Sequence, residues 1–235
     1  MTVPAARLLQ LLQLADSNLP IGATAHSYGL ETLAEDETTT VGQLEQFLTG
    51  YLVETGSQEA AFCRASYHAG ERWNTQPVAC ADTWVTLNRY LSALKPARES
   101  RVASSTLGRR LLQLVAGFGA SPVPGLALQA ARGQDTECHH CAAFGLVAGA
   151  QRLSPETAAV TYLQQSLTGL ISACQRLLPL GQQRAARLLW DLQPAVLAAS
   201  ERYDGADLEE ICCFTPMLDL GGMRHPSLNT RLFIS

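Results

Sequence analysis

The chain has 235 residues, of which 47% are hydrophobic and only 16% are charged, and its formal net charge is −4. A chain this apolar and weakly charged collapses into a globule, so intrinsic disorder is excluded. No stretch approaches the roughly 18 uninterrupted apolar residues that span a bilayer, and an acidic chain without a basic run is not typical of a nucleic-acid-binding protein.

The polar composition indicates protein partners and a reducing compartment. Lys95 is the only lysine among the 17 basic residues, and the others are arginines. Arginine is the cation favoured at protein interfaces, so this composition indicates a surface that other chains partly cover. The seven cysteines have irregular spacings, which predicts free thiols in a cytoplasmic protein.

Helical periodicity runs along most of the chain, and strand alternation is almost absent. The segment from Leu14 to Glu31 predicts a helix–turn–helix corner at Pro20 and Gly22. Eight further helices are predicted after it, at residues 40–55, 57–70, 78–94, 97–117, 137–151, 154–178, around 188–192 and 207–213. Gly56 is expected to end the first of these helices, and Ser154 is expected to be the N-cap of the sixth.

The pattern predicts one all-α domain over residues 1–235, a bundle of about ten helices with an irregular C-terminal tail. The tail, residues 214–235, is apolar but has no helical period. A tail of this kind should dock either on its own domain or on a partner. We expect it to be mobile in the free protein and to become ordered against a partner, with Arg224 as the polar anchor.

The sharpest local cluster of chemistry-bearing residues is Cys138-His139-His140-Cys141. Thiolates and imidazoles are the ligands that Zn²⁺ and Ni²⁺ prefer. On a helix, Cys138 and Cys141 share a face, whereas His139 and His140 lie about 100° and 200° around from Cys138. Two interpretations therefore stay open, a metal site and a helix face with buried thiols.

Motifs of known enzyme classes are absent from the sequence. There is no G-x-S-x-G and no glycine-rich phosphate loop, and the only lysine does not follow a glycine. No catalytic residue, cofactor or metal is therefore predicted. An all-α enzyme with an unrecognised site around His26, Tyr28 and Glu31 is a competing hypothesis, which predicts a pocket of convergent titratable groups.

Several motifs in a fixed order carry a resemblance across nearly the whole chain. The first is Leu14 to Glu31, which contains the pattern L-x-D-S-x-x-P-x-G-x-x-x-H-S-x-G-L-E, and the last are Pro216 to His225 and Arg231 to Ser235. Between them lie R-E-S-R at 98–101, L-G-R-R-L-L at 107–112, H-H-x-x-A-F-G at 139–145 and P-L-G-Q at 179–182. Together these motifs resemble the urease accessory protein UreF family.

The resemblance implies an all-α cytoplasmic protein that is not an enzyme. Such proteins bind UreD (also called UreH), dimerise, and recruit or gate the GTPase UreG, forming a scaffold that delivers nickel to apo-urease. The alternative is a metallochaperone that itself holds nickel at Cys138, His140 and Cys141.

The resemblance also implies that the first and last motifs bind the partners. The implied partner-binding residues of the first motif are Pro20, Gly22, His26, Ser27, Tyr28 and Glu31, and those of the tail are Met223, Arg224, His225, Leu232 and Phe233.

Overall fold

The computed structural model describes residues 4–36 and 39–235, and twelve α-helices account for most of them. These residues contain no strand, so the all-α prediction is confirmed. The helices are α1 Ala5–Leu14, α2 Leu30–Glu35, α3 Leu44–Tyr51, α4 Ser57–Arg72, α5 Pro77–Leu94, α6 Arg98–Gly117, α7 Val123–Gly133, α8 His140–Ala150, α9 Pro155–Leu177, α10 Gln182–Asp191, α11 Gln193–Glu201 and α12 Pro216–Arg224.

Helix α8 lies at the centre of the fold. Every residue from His140 to Gly149 is buried, because the sequence C-A-A-F-G-L-V-A-G is apolar or small all round and has no face suited to water. Helix α4 packs most extensively against it, and α6 and α9 pack on its other sides. Helices α5 and α7 touch α8 less extensively, and the remaining helices pack on this inner group.

Helices α4 and α8 touch through their backbones at three glycines. A Cβ atom on Gly145 would lie 1.9 Å from the carbonyl oxygen of Cys63, and one on Gly149 would lie 2.0 Å from that of Tyr67. From the other side, a Cβ atom on Gly70 would lie 2.1 Å from the carbonyl oxygen of Leu146. No larger residue fits at these contacts without moving a helix.

Two local predictions have opposite outcomes. The N-cap is confirmed, because the Ser154 hydroxyl accepts a hydrogen bond of 3.0 Å from the Thr157 amide at the start of α9. The helix end at Gly56 is wrong. Gly56 has the helical φ of −60°, and a π-helical segment, Leu52–Gly56, joins α3 to α4 without a break.

Two helices fall where the sequence predicts irregular chain. Helix α7 begins at Val123, inside the segment from Gly117 to Pro124 that two glycines and two prolines predict to be a loop, and α12 occupies the first half of the tail. Proline lies in the first turn of each helix, where its missing N–H costs no hydrogen bond. The prolines that favour irregular chain in the sequence therefore lie at the starts of helices in the structure.

Candidate functional site

The first and last motifs pack against each other although nearly 200 residues separate them. Helix α12 crosses α2 at Gly29, whose φ of +89° lies in the left-handed region. A Cβ atom on Gly29 would lie 2.7 Å from the carbonyl oxygen of Leu218 and 2.8 Å from the amide nitrogen of Gly222. The hydroxyl of Thr32 donates to the carbonyl of Gly221 at 2.9 Å. Glycine at position 29 thus permits the close approach of the tail.

The Glu31 carboxylate is the centre of this contact. It accepts hydrogen bonds from the amides of Leu232, at 2.5 Å, and Phe233, at 3.1 Å, and it lies 2.8 Å from His225 Nε2. Burial alone would raise the pKa of Glu31, but the Leu232 amide, His225 and the Phe233 amide together lower it below its ordinary value. Glu31 is therefore ionised and binds the tail by three separate contacts.

His225 lies between two carboxylates and its side chain is fully buried. Its Nδ1 atom is 2.7 Å from Glu99 of α6, while its Nε2 atom faces Glu31. Each ring nitrogen of His225 thus faces a carboxylate oxygen at hydrogen-bond distance. Arg231 adds a cation 3.7 Å from Glu99. The Glu31–His225–Glu99 cluster joins α2, the tail and α6.

The last residues of the tail lie across the first motif. The amide and the hydroxyl of Ser27 both donate to the main-chain oxygen of Ser235, the hydroxyl at 3.0 Å. The Ser235 hydroxyl is 2.8 Å from His26 Nδ1, and the Ile234 amide donates to the Ala25 carbonyl at 2.9 Å. The guanidinium of Arg176 stacks 4.0 Å above the ring of Phe233. These contacts fix the last three residues of the tail on the first motif and on α9.

The structure thus places most of the predicted partner-binding residues in contacts within the chain. His26, Ser27, Glu31, His225 and Phe233 are buried, and Gly22 and Tyr28 are half-buried. Pro20, Met223, Arg224 and Leu232 are exposed. While the tail keeps this position, the exposed four can meet a partner fully, and the half-buried Gly22 and Tyr28 can meet one in part.

The expectation of a mobile tail is corrected by these contacts. In the structure of the single chain, the tail is packed on its own helices. Arg224 also has a partner within the chain, since its guanidinium makes contacts of 2.5 and 3.2 Å with the carboxylate of Asp36. The absence of a helical period was misleading because polar contacts, rather than one apolar stripe, hold this segment.

The outward side of the tail is apolar. Six of its large hydrophobic side chains are at least half exposed: Phe214, Met217, Leu220, Met223, Leu232 and Ile234. We call this set the outer face of the tail. Three of them, Met217, Leu220 and Met223, are spaced three residues apart along α12, so they lie on one side of that helix. The tail is therefore held by polar contacts inside, and outside it exposes these six apolar side chains beside polar ones such as Arg224 and Arg231.

Sequence reasoning missed Glu99, Asp36 and Arg176 as parts of this site. Glu99 lies within the R-E-S-R motif at 98–101, so a signal for it existed. For Asp36 and Arg176 the sequence carries no signal, because nothing in their own segments shows which distant residue they meet.

The Cys138-His139-His140-Cys141 cluster does not form a ligand set. Helix α8 begins at His140, and all four side chains are buried. The two ring nitrogens of His139 face the hydroxyls of Ser104, at 3.1 Å, and Ser92, at 2.9 Å. Burial raises the pKa of Cys138 to about 11, so its thiol is neutral. Over residues 4–36 and 39–235, no three His, Cys, Asp or Glu side chains are grouped so that they could hold a metal ion.

None of the helices in the described part of the chain is both long and apolar enough to cross a membrane.

Replacing Glu31 by glutamine is expected to loosen the tail. The glutamine amide group turns N–H donors toward the donors of His225 or the Leu232 amide, so contacts to a charged acceptor are lost. The expected loss in free energy of unfolding is about 2 kcal/mol, with faster hydrogen exchange at residues 232 and 233. Urea unfolding and hydrogen exchange measured by mass spectrometry test both effects.

The matched control is Glu35→Gln, which changes an exposed carboxylate on the same helix. Since the pKa of Glu31 is lowered on folding, the stability that Glu31 adds is present above its ordinary pKa of 4.5 and is lost as the pH falls below that value. Unchanged exchange at residues 232 and 233 in Glu31→Gln would contradict this role.

Comparison with known proteins gives a consistent result. A family model described as UreF matches residues 38–193, more than half of the chain. A protein of Nostoc sp. (strain PCC 7120 / SAG 25.82 / UTEX 2576) is 34% identical over 232 residues, which cover 97% of this chain and 95% of the relative. Relatives from Bacillus sp. (strain TB-90) and Corynebacterium glutamicum (strain R) are each 30% identical and cover 97% and 96% of this chain, and 99% and 96% of their own lengths. All three are named urease accessory protein UreF.

Proposed function

This chain belongs to the urease accessory protein UreF family, and we propose that it is a non-catalytic scaffold for the maturation of urease. In this role it binds UreD/UreH, recruits or gates the GTPase UreG, and supports delivery of nickel to apo-urease. It acts in the cytoplasm as a homodimer.

The outer face of the tail is the observation that carries this proposal. Exposed apolar surface of this extent is typical of a site that another protein covers. The hydrogen bonds beneath it hold the backbone of the tail in one position, so little conformational entropy remains to be lost when a partner binds. We assign the outer face to UreD/UreH.

In this proposal, the buried members of the predicted partner-binding residues support the tail from inside. Glu31, His225 and Ser27 position the tail rather than touch the partner. Exposed Met223 and Leu232 then supply contact area to the partner. The two motifs therefore work as one unit although they lie at opposite ends of the sequence.

Changing the outer face is expected to weaken partner binding without unfolding the protein. Leu220→Ser combined with Met223→Ser removes two half-exposed apolar side chains of α12. We expect the affinity for UreD/UreH to fall about 30-fold or more, equivalent to about 2 kcal/mol. Isothermal titration of purified partner with wild type and variant gives the affinities, and thermal melting reports the fold.

The control is Val78→Ser on α5, where the valine is even more exposed but lies outside the tail. This variant should bind UreD/UreH as wild type does. If the tail variant keeps wild-type affinity, the outer face is not the docking surface. If the tail variant and Val78→Ser weaken binding equally, the effect is one of general surface hydrophobicity and the assignment is wrong.

A further inference from the structure

Two adjacent cysteines differ from the other five in their access to solvent. All seven lie in the described part of the chain and have free thiols, and five of them are buried. Burial holds the pKa of buried thiols such as Cys63 and Cys141 above the ordinary value, so they stay protonated and unreactive. Cys212 is exposed and Cys213 is half-buried. An oxidant dissolved in water therefore reaches this pair before the buried thiols.

The backbone around the pair is free to change its conformation. The two cysteines lie in the irregular segment 211–215, which joins the 3₁₀ turn Leu208–Glu210 to α12. Within the described residues, neither the Cys212 amide nor the Cys213 amide donates a hydrogen bond, and the Cys212 carbonyl accepts one from the Tyr203 hydroxyl at 3.1 Å. The peptide group between the cysteines can therefore rotate without breaking a helix or a main-chain hydrogen bond.

The two thiols have different surroundings. The Cys212 thiol lies 3.6 Å from the Tyr203 hydroxyl, and the Arg202 guanidinium lies over the Tyr203 ring, 5.5 Å from its centre. A hydroxyl donor and a nearby cation favour the thiolate, which is the form that reacts with oxidants. The Cys213 thiol faces two threonine hydroxyls at 3.7 and 3.9 Å, and burial raises its pKa. Cys212 is therefore suited to react first and Cys213 second.

We propose that Cys212 and Cys213 form a peroxide-sensitive dithiol that closes to a disulfide between adjacent residues. The Cys212 thiolate attacks a peroxide oxygen, so that an S–O bond forms, the O–O bond breaks, and the departing hydroxide takes up a proton to become water. The Cys213 sulfur then attacks the Cys212 sulfur, an S–S bond forms, the S–O bond breaks, and a second water leaves with the Cys213 proton. The two thiols are oxidised, and one hydrogen peroxide is reduced to two waters.

The resulting disulfide is strained and therefore reversible. The Cα atoms of neighbouring residues are about 3.8 Å apart across a trans peptide, whereas those of an ordinary disulfide are about 4.4–6.8 Å apart. Strained disulfides are reduced more readily than relaxed ones, so small thiols restore the pair. A reversible bond of this kind is typical of redox sensing in a reducing compartment.

Closure of the disulfide also moves the start of the tail. The amide of Phe214, the residue after the pair, donates to the Glu54 carboxylate at 3.1 Å, and α12 begins two residues later. Bringing the Cys213 sulfur to Cys212 turns this segment and draws Phe214 away from Glu54. The oxidised protein then holds α12 less firmly, and this effect does not depend on which partner the tail binds.

Peroxide treatment of the full-length protein, followed by mass spectrometry, tests the proposal. The protein is oxidised, denatured with iodoacetamide and digested with trypsin, which releases residues 203–224 as one peptide. This peptide should be lighter by two hydrogen atoms and free of iodoacetamide adducts, and dithiothreitol treatment before alkylation should reverse both changes. Amide hydrogen exchange in α12 should be at least about tenfold faster after oxidation. Two or three oxygens added at Cys212, a disulfide between two chains, or unchanged exchange in α12 would overturn the proposal.

Two serine variants separate the roles of the thiols. In Cys213→Ser, the oxidised Cys212 meets no second thiol and should stop at the sulfenic acid, which dimedone labels. In Cys212→Ser, the thiol of Cys213 should stay reduced at the same peroxide dose. The control Cys80→Ser changes a buried thiol and should form the disulfide as wild type does. Equal dimedone labelling of wild type and Cys213→Ser, or oxidation of Cys213 in Cys212→Ser, contradicts the proposed sequence of steps.

Discussion

Gly145→Ala is expected to destabilise the fold more than any other substitution considered. The added methyl group would lie 1.9 Å from the carbonyl oxygen of Cys63, and this oxygen belongs to the backbone of α4 rather than to a flexible side chain. Relief requires α4 and α8 to separate, which also breaks the matching contacts at Gly149 and Gly70. We expect a loss of at least about 4 kcal/mol, a large part of the roughly 5–15 kcal/mol of a typical domain.

Thermal and urea unfolding followed by circular dichroism measure this loss. The control is Gly50→Ala on α3, since a Cβ atom at this exposed glycine meets nothing within 4 Å. Alanine there should be neutral or stabilising by about 0.5–1 kcal/mol, because it has the higher helix propensity. A Gly145→Ala protein within 1 kcal/mol of wild type would show that the two helices do not pack backbone to backbone.

Lys95→Met is expected to have the second largest effect. The lysine and Glu59 form an ion pair of 2.6 Å with both side chains almost entirely buried. Methionine fills the space of the lysine stem but leaves the Glu59 carboxylate without its counter-charge. Removing one partner of a buried pair typically destabilises a protein by about 3–5 kcal/mol.

The pH dependence of this loss follows from Glu59. Burial raises the pKa of Glu59, but Lys95, with smaller contributions from the Tyr162 hydroxyl and His140, more than offsets this effect in the wild type, so the net shift is downward. Without the lysine, burial leaves the pKa of Glu59 above its unfolded value. The variant is then least destabilised at low pH, where Glu59 is protonated, and loses stability as the pH rises through the raised pKa.

A double-mutant cycle tests the assignment to the pair. Adding Glu59→Gln to Lys95→Met removes the unpaired charge and should recover part of the lost stability and most of its pH dependence. Urea unfolding at pH 5 and pH 8 gives the four free energies. Additive losses in the double variant would show that Lys95 and Glu59 contribute independently.

The sequence predicts the helical content of this fold well, but it predicts the contacts between distant segments poorly. Ser154, Pro155 and Glu156 form a local start signal, and the helix begins where they place it. Glycine signals are ambiguous by comparison. Gly56 is expected to end a helix because glycine tolerates a left-handed conformation, yet here it keeps helical angles within continuous helical chain.

In the sequence the site consists of two separate motifs, and nothing in either motif shows that they meet. The residues of Leu14 to Glu31 and those after Pro216 are conspicuous separately, but periodicity reports only neighbours within a few turns. It carries no information on the contact of Glu31 with His225. The sequence therefore predicts which residues matter. Only the structure shows that the five buried ones, His26, Ser27, Glu31, His225 and Phe233, hold the tail in place.

The contact between Glu31 and His225 spans 194 positions, and this separation has a consequence for synthesis. At about 5–20 residues per second, the ribosome makes His225 roughly 10–40 s after Glu31. Until His225 is made, no imidazole ring lies between the carboxylates of Glu31 and Glu99, and the parts of α2 and α6 that the tail covers stay uncovered. The nascent chain therefore passes through a stage in which helices α1 to α11 can already pack while the proposed docking surface on the tail does not yet exist.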